Sequence, residues 1–176
     1  TLFICRKEII LMIKTFWKQL TSRSQLRWIL SGLVLLSSIL ILLASTFVSK
    51  YFLLNRAFDL LNATNKISAS RIHEKLNSTT DLDFNELSQM LSDRTGLGLS
   101  GETYVMNTNG KLLTASRFLT GEIVAPLPDF KTDEWVGIKR DYRNISVLAH
   151  WRKISTPKFS GILASEIDED EVLKPL

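Results

Sequence analysis

The sequence predicts an α+β chain in which a transmembrane helix and a long stalk helix lead into an antiparallel sheet of about five strands. Three observations predict it. An uncharged apolar run extends from Trp28 to Val48, helix-spaced apolar residues follow from Lys50 to Leu76, and strand-like alternation begins near Gly101. The composition agrees: 176 residues, 45% hydrophobic and 23% charged, with 8 Gly, 4 Pro and one Cys, exclude collagen-like, disulfide-scaffold and wholly disordered chains. This length holds one globular unit plus an appendage. The formal charge of +4 arises from a basic N-terminal stretch and an acidic C-terminal one, so it does not mark a nucleic-acid surface.

The first element is the membrane span, 28–48. Leu and Ile dominate from Ile29 to Leu43, and at about 1.5 Å per residue the run reaches about 31 Å, matching a hydrocarbon core of about 30 Å. A buried soluble helix of this length would carry a polar face, and a cleaved signal peptide would have a shorter apolar stretch. Arg6, Lys7, Lys14, Lys18, Arg23 and Arg27 precede the span against Glu8 alone. That leader, 1–27, is therefore expected in the cytoplasm, with the span in the plasma (inner) membrane and the rest of the chain on the extracytoplasmic, periplasmic side. Nucleic acid then drops out as a partner, and Cys5, on the reducing side, cannot serve a disulfide. Met12 opens a more conventional leader than Thr1, so translation starting there is an alternative that preserves the orientation.

The next segment, 49–80, reads as the stalk. Leu54, Phe58, Leu61, Ile67, Ile72 and Leu76 recur at mostly three- to five-residue spacing without Gly or Pro, interrupted by Asn62, Asn65 and Ser68. Such a stripe packs against its own domain or against a second copy, so a homodimer through the stalk is one expectation. The remainder, 81–176, reads as the folded domain. Asp83 with Glu86 forms a capping box for a short helix carrying Phe84, Leu87, Met90 and Leu91 inward and ending near Gly96.

Asn109-Gly110 is a strong hairpin signal. With those two residues as the loop, Thr108 pairs with Lys111, Met106 with Leu113, Tyr104 with Ala115, and Glu102 with Arg117 as a terminal ion pair. After Pro126 and Pro128, further strands are expected at 135–139, 145–154 and 159–167.

Asp93–Phe118, DRTGLGLSGETYVMNTNGKLLTASRF, resembles the Gly-rich turn, hairpin and Ser-Arg-Phe ending of Cache domains. Downstream, DYRNISVLAHWRK at 141–153 and SGILASEIDEDEVLKPL at 160–176 are similar to the last two strands and exit helix of the membrane-proximal module in double-Cache receptors. The chain departs from that pattern in a short segment between Phe118 and Trp135 and in Ser160, where relatives often place Trp. The resemblance implies a PAS-like extracytoplasmic sensor of the kind found in bacterial chemoreceptors and histidine kinases. It also implies that an output domain is missing from this chain.

No catalytic group is expected. His73 and His150 fall on different elements, and no nucleophile, base and orienter can be assembled. Zinc lacks its ligand spacing, and no cofactor motif is recognised. Glu166, Asp168, Glu169, Asp170 and Glu171 invite a calcium reading, but carboxylates at a helix start are explained more simply by the helix dipole and solvent. Gly96, Gly98 and Gly101 resemble a phosphate loop by composition alone, and turn geometry is their expected job.

A ligand pocket on the loop-covered face of the sheet is the remaining chemistry. Arg117 offers paired donors to a carboxylate, Tyr104 shares its face, and Trp135, Tyr142 and Trp151 supply aromatic walls. The opposing reading makes Arg117 a partner of Glu102 and the aromatics core. The functional expectation is a sensor in which a small organic acid or amino acid shifts the stalk; the alternative is a ligand-free structural or dimerisation spacer.

Overall fold

The computed structural model describes residues 12, 14, 15, 23–78, 83–93 and 97–174. Cys5, most of the basic leader and Gly96 lie outside them. Two compact units divide the chain, Thr1–Val48 and Ser49–Leu176. Helix α1, Arg23–Ser78, supplies the described part of the first unit beyond residue 15 and opens the second. Among the described residues it is the one helix long and apolar enough to cross a membrane. Its large apolar side chains from Leu26 to Val48 are exposed. Three polar side chains there are satisfied within the helix: Ser37 and Ser38 each donate to the Val34 carbonyl at 2.8 Å, and Thr46 to the Leu43 carbonyl at 2.9 Å. Internal satisfaction of this kind is what hydrocarbon surroundings require.

The second unit is α+β. After α1 come α2 (Phe84–Met90), β1 (Glu102–Met106), β2 (Glu134–Arg140), β3 (Ser146–Ser155), β4 (Ser160–Asp168) and α3 (Glu169–Leu173). The four strands form one antiparallel sheet in the order β1-β4-β3-β2. Alternation sends Val105, Leu148, Ile154 and Leu163 to the helix side, where Ala69, Ile72 and Leu76 of α1 and Leu87 of α2 meet Val105, Ile154 and Leu163, and Ala57 and Leu61 of α1 meet Leu148. On α1 the buried stripe runs Ala57, Leu61, Asn65, Ser68, Ala69, Ile72, Leu76, at helical spacing.

This corrects the reading of the stalk's polar residues as interruptions. Asn65 is fully buried and its Nδ2 donates to the carbonyls of His150 at 3.0 Å and Leu163 at 3.4 Å and to the Ser165 hydroxyl at 3.3 Å, while its Oδ1 accepts from Arg152 Nε at 3.2 Å. Ile67, expected inward, is exposed instead. Asp83 caps α2 by accepting from the Asn85 N–H at 2.8 Å, but Glu86 turns to Lys75 of α1 and does not close a capping box. The helix also stops at Met90, well short of Gly96.

The three late strands fall within about one residue of their expected limits. The first hairpin does not. Met106 faces Leu112, not Leu113, because the Asn107 side-chain Oδ1 accepts from the N–H groups of Asn109 and Lys111 at 2.9 and 3.0 Å while the Asn107 N–H donates to the Lys111 carbonyl at 2.9 Å, which leaves three residues, 108–110, in the turn. Gly110 sits at φ 85°, where an added Cβ would come within 2.4 Å of the Ala125 carbonyl oxygen. Beyond Leu112 the regular ladder with β1 breaks: the N–H groups of Leu113 and Thr114 both donate to the Val105 carbonyl, at 2.8 and 3.3 Å, and the Thr114 hydroxyl takes the Val105 N–H at 2.9 Å. Lys111–Ser116 therefore contributes isolated bridges, to Met106 and Val124, and the sheet has four strands.

Asn65→Ala is expected to lower the unfolding free energy by about 2 to 3 kcal/mol, since buried acceptors on β3 and β4 lose their donor. Urea denaturation checks this; a loss under about 0.5 kcal/mol would remove Asn65 from the interactions that hold α1 to the sheet.

Candidate functional site

The face of the sheet turned away from α1 holds the candidate site. Strand alternation places Glu102, Tyr104 and Met106 of β1, Ile162, Ala164 and Glu166 of β4, Val147, Ala149 and Trp151 of β3, and Trp135, Gly137 and Lys139 of β2 on this side. Leu112, Ala125 and Phe130 from the segment between β1 and β2 cover it. Tyr104 meets Tyr142 edge-on at 5.8 Å, and Trp135 meets Trp151 edge-on at 6.5 Å. The sheet register thus brings four of the five residues singled out in the sequence, Tyr104, Trp135, Tyr142 and Trp151, to one face.

Arg117 is placed elsewhere. Its side chain is exposed, donates to the main-chain carbonyls of Leu99 and Gly101, and lies over the Phe118 ring at 5.1 Å. Its contact with Glu102 is made by the main-chain N–H, which donates to Oε2 at 3.1 Å. The side-chain ion pair read from the sequence is replaced by a backbone bond, because the segment after Leu112 does not continue as a strand.

The polar centre of the face is carboxylic. Glu102 and Glu166 stand directly opposite one another on β1 and β4, and both are buried. Glu102 accepts from the Tyr142 hydroxyl, which is also 2.6 Å from the Ser116 hydroxyl. Glu166 Oε1 accepts from Trp151 Nε1 at 2.8 Å; its Oε2 and the Tyr104 hydroxyl are both buried, and the interaction between these two groups lowers the acid and raises the phenol. Burial dominates both acids. It raises Glu102 above the ordinary carboxylate range against the pull of Tyr142 and the Arg117 N–H, and it raises Glu166 to about 7.

The cation on this face is Lys139. Its Nζ lies 3.6 Å from the centre of the Trp151 ring and 6.0 Å from that of Trp135, and it donates to the Pro126 carbonyl of the covering segment. Burial lowers it to about 8, opposed by the charges of Glu166 and Asp141.

Beside it, the turn after β2 is locked by Asp141, which accepts from the N–H groups of Arg143 and Ile145 at 2.8 and 3.0 Å, with Asn144 at φ 65°. The Arg143 guanidinium bridges Asp141 and Asp168 and stacks 3.9 Å above the Phe118 ring centre.

Sequence reasoning missed Glu102, Lys139 and Glu166 as members of this site. The signal was parity: Glu166 shares its alternation with Ile162 and Ala164, and Glu102 with Tyr104 and Met106, which puts both acids inside. Three others of the C-terminal acidic series are engaged one residue at a time, while Asp170 is exposed. Asp168 pairs with Arg143, Glu169 accepts from Ser146 at 2.7 Å, and Glu171 accepts from the N–H groups of Leu99 and Ser100 at 2.6 Å each. Gly98, at φ 65°, makes that last contact feasible, since a Cβ there would fall 2.3 Å from Glu171 Oε1.

Among the described residues, no group of three or more His, Cys, Asp or Glu could hold a metal ion. His150 lies on the opposite face, fully buried, with Nε2 3.2 Å from Glu134 Oε2, and burial holds its pKa below the ordinary value. His73 is exposed on α1 and borders an open cleft of about 530 Å³ at the β3–β4 turn, together with Phe130 and Lys153.

No protein-family model and no curated protein matches the chain. Among solved structures, it is similar to the ligand-binding domain of the Campylobacter jejuni chemoreceptor Tlp3 in complex with 4-methylisoleucine, at 17% sequence identity and a TM-score of 0.40. The similarity covers 70% of this chain and 61% of that one, so the chain spans less than two thirds of that domain.

Two opposite pH slopes follow from the buried groups. Glu166 holds its proton more tightly when folded, so its contribution is complete below about pH 4.5 and is lost as pH rises through about 7, on the order of 3 kcal/mol at most. Lys139 is depressed from 10.5 to about 8, so stability recovers between those values as pH rises. Urea denaturation across pH should show a shallow minimum near neutrality, with Glu166→Gln flattening its acid limb and Lys139→Met its alkaline limb.

Proposed function

We propose that the chain is the membrane-anchored signal-input domain of a bacterial-type receptor of the Cache kind, with its leader in the cytoplasm and its sheet on the extracytoplasmic side of the inner membrane. It performs no reaction of its own. The observation that carries this reading is the loop-covered face centred on Glu166: two buried acids, a half-buried cation and four aromatic side chains, with the Glu166 carboxyl and the Tyr104 hydroxyl dependent on one another. Such a pair keeps hydrogen-bonding capacity that a small polar molecule entering between the covering segment and the sheet would take up. The resemblance of 93–118, 141–153 and 160–176 to Cache domains supports the same reading.

The ligand class is a small organic acid or amino acid, whose charged ends suit Lys139 and Glu166. Signalling is a bias between two arrangements of the α1 stalk, so the ligand must bind one of them more tightly than the other. A second copy pairing through the stalk, where Leu60 and Ile67 are exposed, would carry that bias across a dimer.

A second reading, a ligand-free spacer within a receptor, is favoured by one specific observation: Trp135, Trp151, Tyr104 and Tyr142 already pack on one another, and Lys139 occupies the Trp151 face.

Thermal melting of the full chain in nanodiscs, against a panel of carboxylates and amino acids, separates the two. Sensing predicts a saturable stabilisation of about 3 kcal/mol at a hundredfold excess over Kd. Trp135→Ala should abolish it and Arg117→Ala should leave it in place. A panel without any response assigns the chain to the spacer role.

A further inference from the structure

We propose that the ring group of Trp135, Trp151 and Phe130 is a cation site that the chain fills with its own Lys139, and that the ligand is a small organic cation whose methylated ammonium takes that lysine's place. This rests on the ligand-binding reading above and deepens it by naming the group that enters the face.

The site begins with alternation along β2. Trp135, Gly137 and Lys139 share the site face of this edge strand. A Cβ at Gly137 would fall 2.9 Å from the Trp135 ring, so the missing side chain lets the indole lie over position 137, toward Lys139. Lys139 is half-buried there, with Nζ 3.6 Å from the centre of the Trp151 ring and 6.0 Å from that of Trp135. The two indoles meet edge-on with centres 6.5 Å apart, and Phe130 of the covering segment closes the group at 6.3 Å from Trp151. Rings from three parts of the chain thus converge beside one ammonium.

A separate contact shows the same preference. Lys153, on β3, places its Nζ 5.1 Å from the centre of the Phe130 ring, so these rings collect cations from two strands. The indole of Trp151 is also primed for a cation. Its N–H donates to Glu166 Oε1 at 2.8 Å, and a ring whose N–H is engaged by a carboxyl group presents a more electron-rich face.

The resident cation fits its place incompletely. An ammonium carries three N–H donors, and among the described residues the Pro126 carbonyl is the one acceptor that the Lys139 side chain meets. The rest of its surroundings are rings and solvent. A methylated ammonium has no such donors to satisfy and packs its methyl groups against the indoles, so exchange on this face favours it. Half-burial on an edge strand gives Lys139 a way out, because its stem can stay on the surface while its head moves to water. The freed lysine is then available to a carboxylate on the same ligand.

The full chain, labelled with fluorotryptophan in nanodiscs whose lipids lack a choline headgroup, tests the proposal with choline and with its uncharged isostere, in which tert-butyl replaces trimethylammonium. Choline is expected to move the Trp135 and Trp151 fluorine resonances, assigned with Trp135→Phe and Trp151→Phe, with half-saturation at about 1 to 10 mM, and the isostere should bind about tenfold more weakly. Lys139→Ala removes the competitor and should tighten choline binding about tenfold, whereas Gly137→Ala, which pushes the Trp135 ring aside, should weaken it about fivefold.

Equal shifts with the isostere would make the face a hydrophobic slot and overturn the proposal. Weaker or unchanged choline binding in Lys139→Ala would do the same, because the lysine would then not be the ligand's competitor. So would resonances that choline leaves in place in both the wild type and Lys139→Ala. Should Lys139→Ala fail to fold in thermal melting, the isostere comparison and Gly137→Ala decide the question, and unchanged choline binding in Gly137→Ala removes the site. A carboxylate or amino acid that still saturates the wild type in any of these cases leaves the sensor reading standing and overturns this inference alone; silence toward every compound removes both.

Discussion

Everything on the candidate face depends on β4 being a central strand buried on both sides. Between β1 and β3, Ile162 to Glu166 of β4 are buried and face either the helices or the covering segment. Glu166 occupies such a position, opposite Glu102 on one neighbour and Ala149 on the other. A carboxyl there has two choices: to stay protonated or to find donors and a cation inside the protein. The molecule uses parts of both, with the Trp151 indole N–H, the neighbouring Tyr104 hydroxyl and a pKa raised toward neutrality. Structural acids in a small domain normally reach solvent, so this arrangement is the feature around which a functional reading can be built.

The two faces of the sheet solve the problem of buried polarity differently. On the helix side, Asn65 divides its amide among two carbonyls, a hydroxyl and an arginine, and closes the network between α1, β3 and β4. A satisfied network fixes one register of helix on sheet. Hydrogen bonding is left incomplete on both sides, at His150 Nδ1 on the helix face and around Glu166 and Tyr104 on the other. What distinguishes the second face is a pair of buried acids beneath a covering segment.

The acidic C-terminal series shows how composition misleads when it is read as a cluster. Glu166 faces the covering segment from within the sheet, Asp168 pairs with Arg143, Glu169 meets Ser146, and Glu171 receives two main-chain N–H groups from the Gly98 turn. Alternation along β4 and the start of α3 aim four of these carboxylates at different partners, while Glu169, Asp170 and Glu171 do stand in the first turn of α3, as the sequence reading expected.

From the sequence alone came the apolar helix of membrane-spanning length, the α+β class and the limits of β2, β3 and β4. Each of these is encoded locally, in run length, periodicity and turn residues. The aromatic members of the site were legible too, because large side chains at alternating positions must share a face. Only the tertiary structure decided that Asn65 is a buried anchor, that Asn107 shifts the first hairpin by a residue and ends it early, that Arg117 turns to the backbone of the Gly98 turn, and that Glu102, Lys139 and Glu166 form the polar centre. These outcomes depend on which strand lies beside which. Pairing between residues up to about a hundred positions apart is set by the packing of the whole sheet, and no local pattern in the chain carries it.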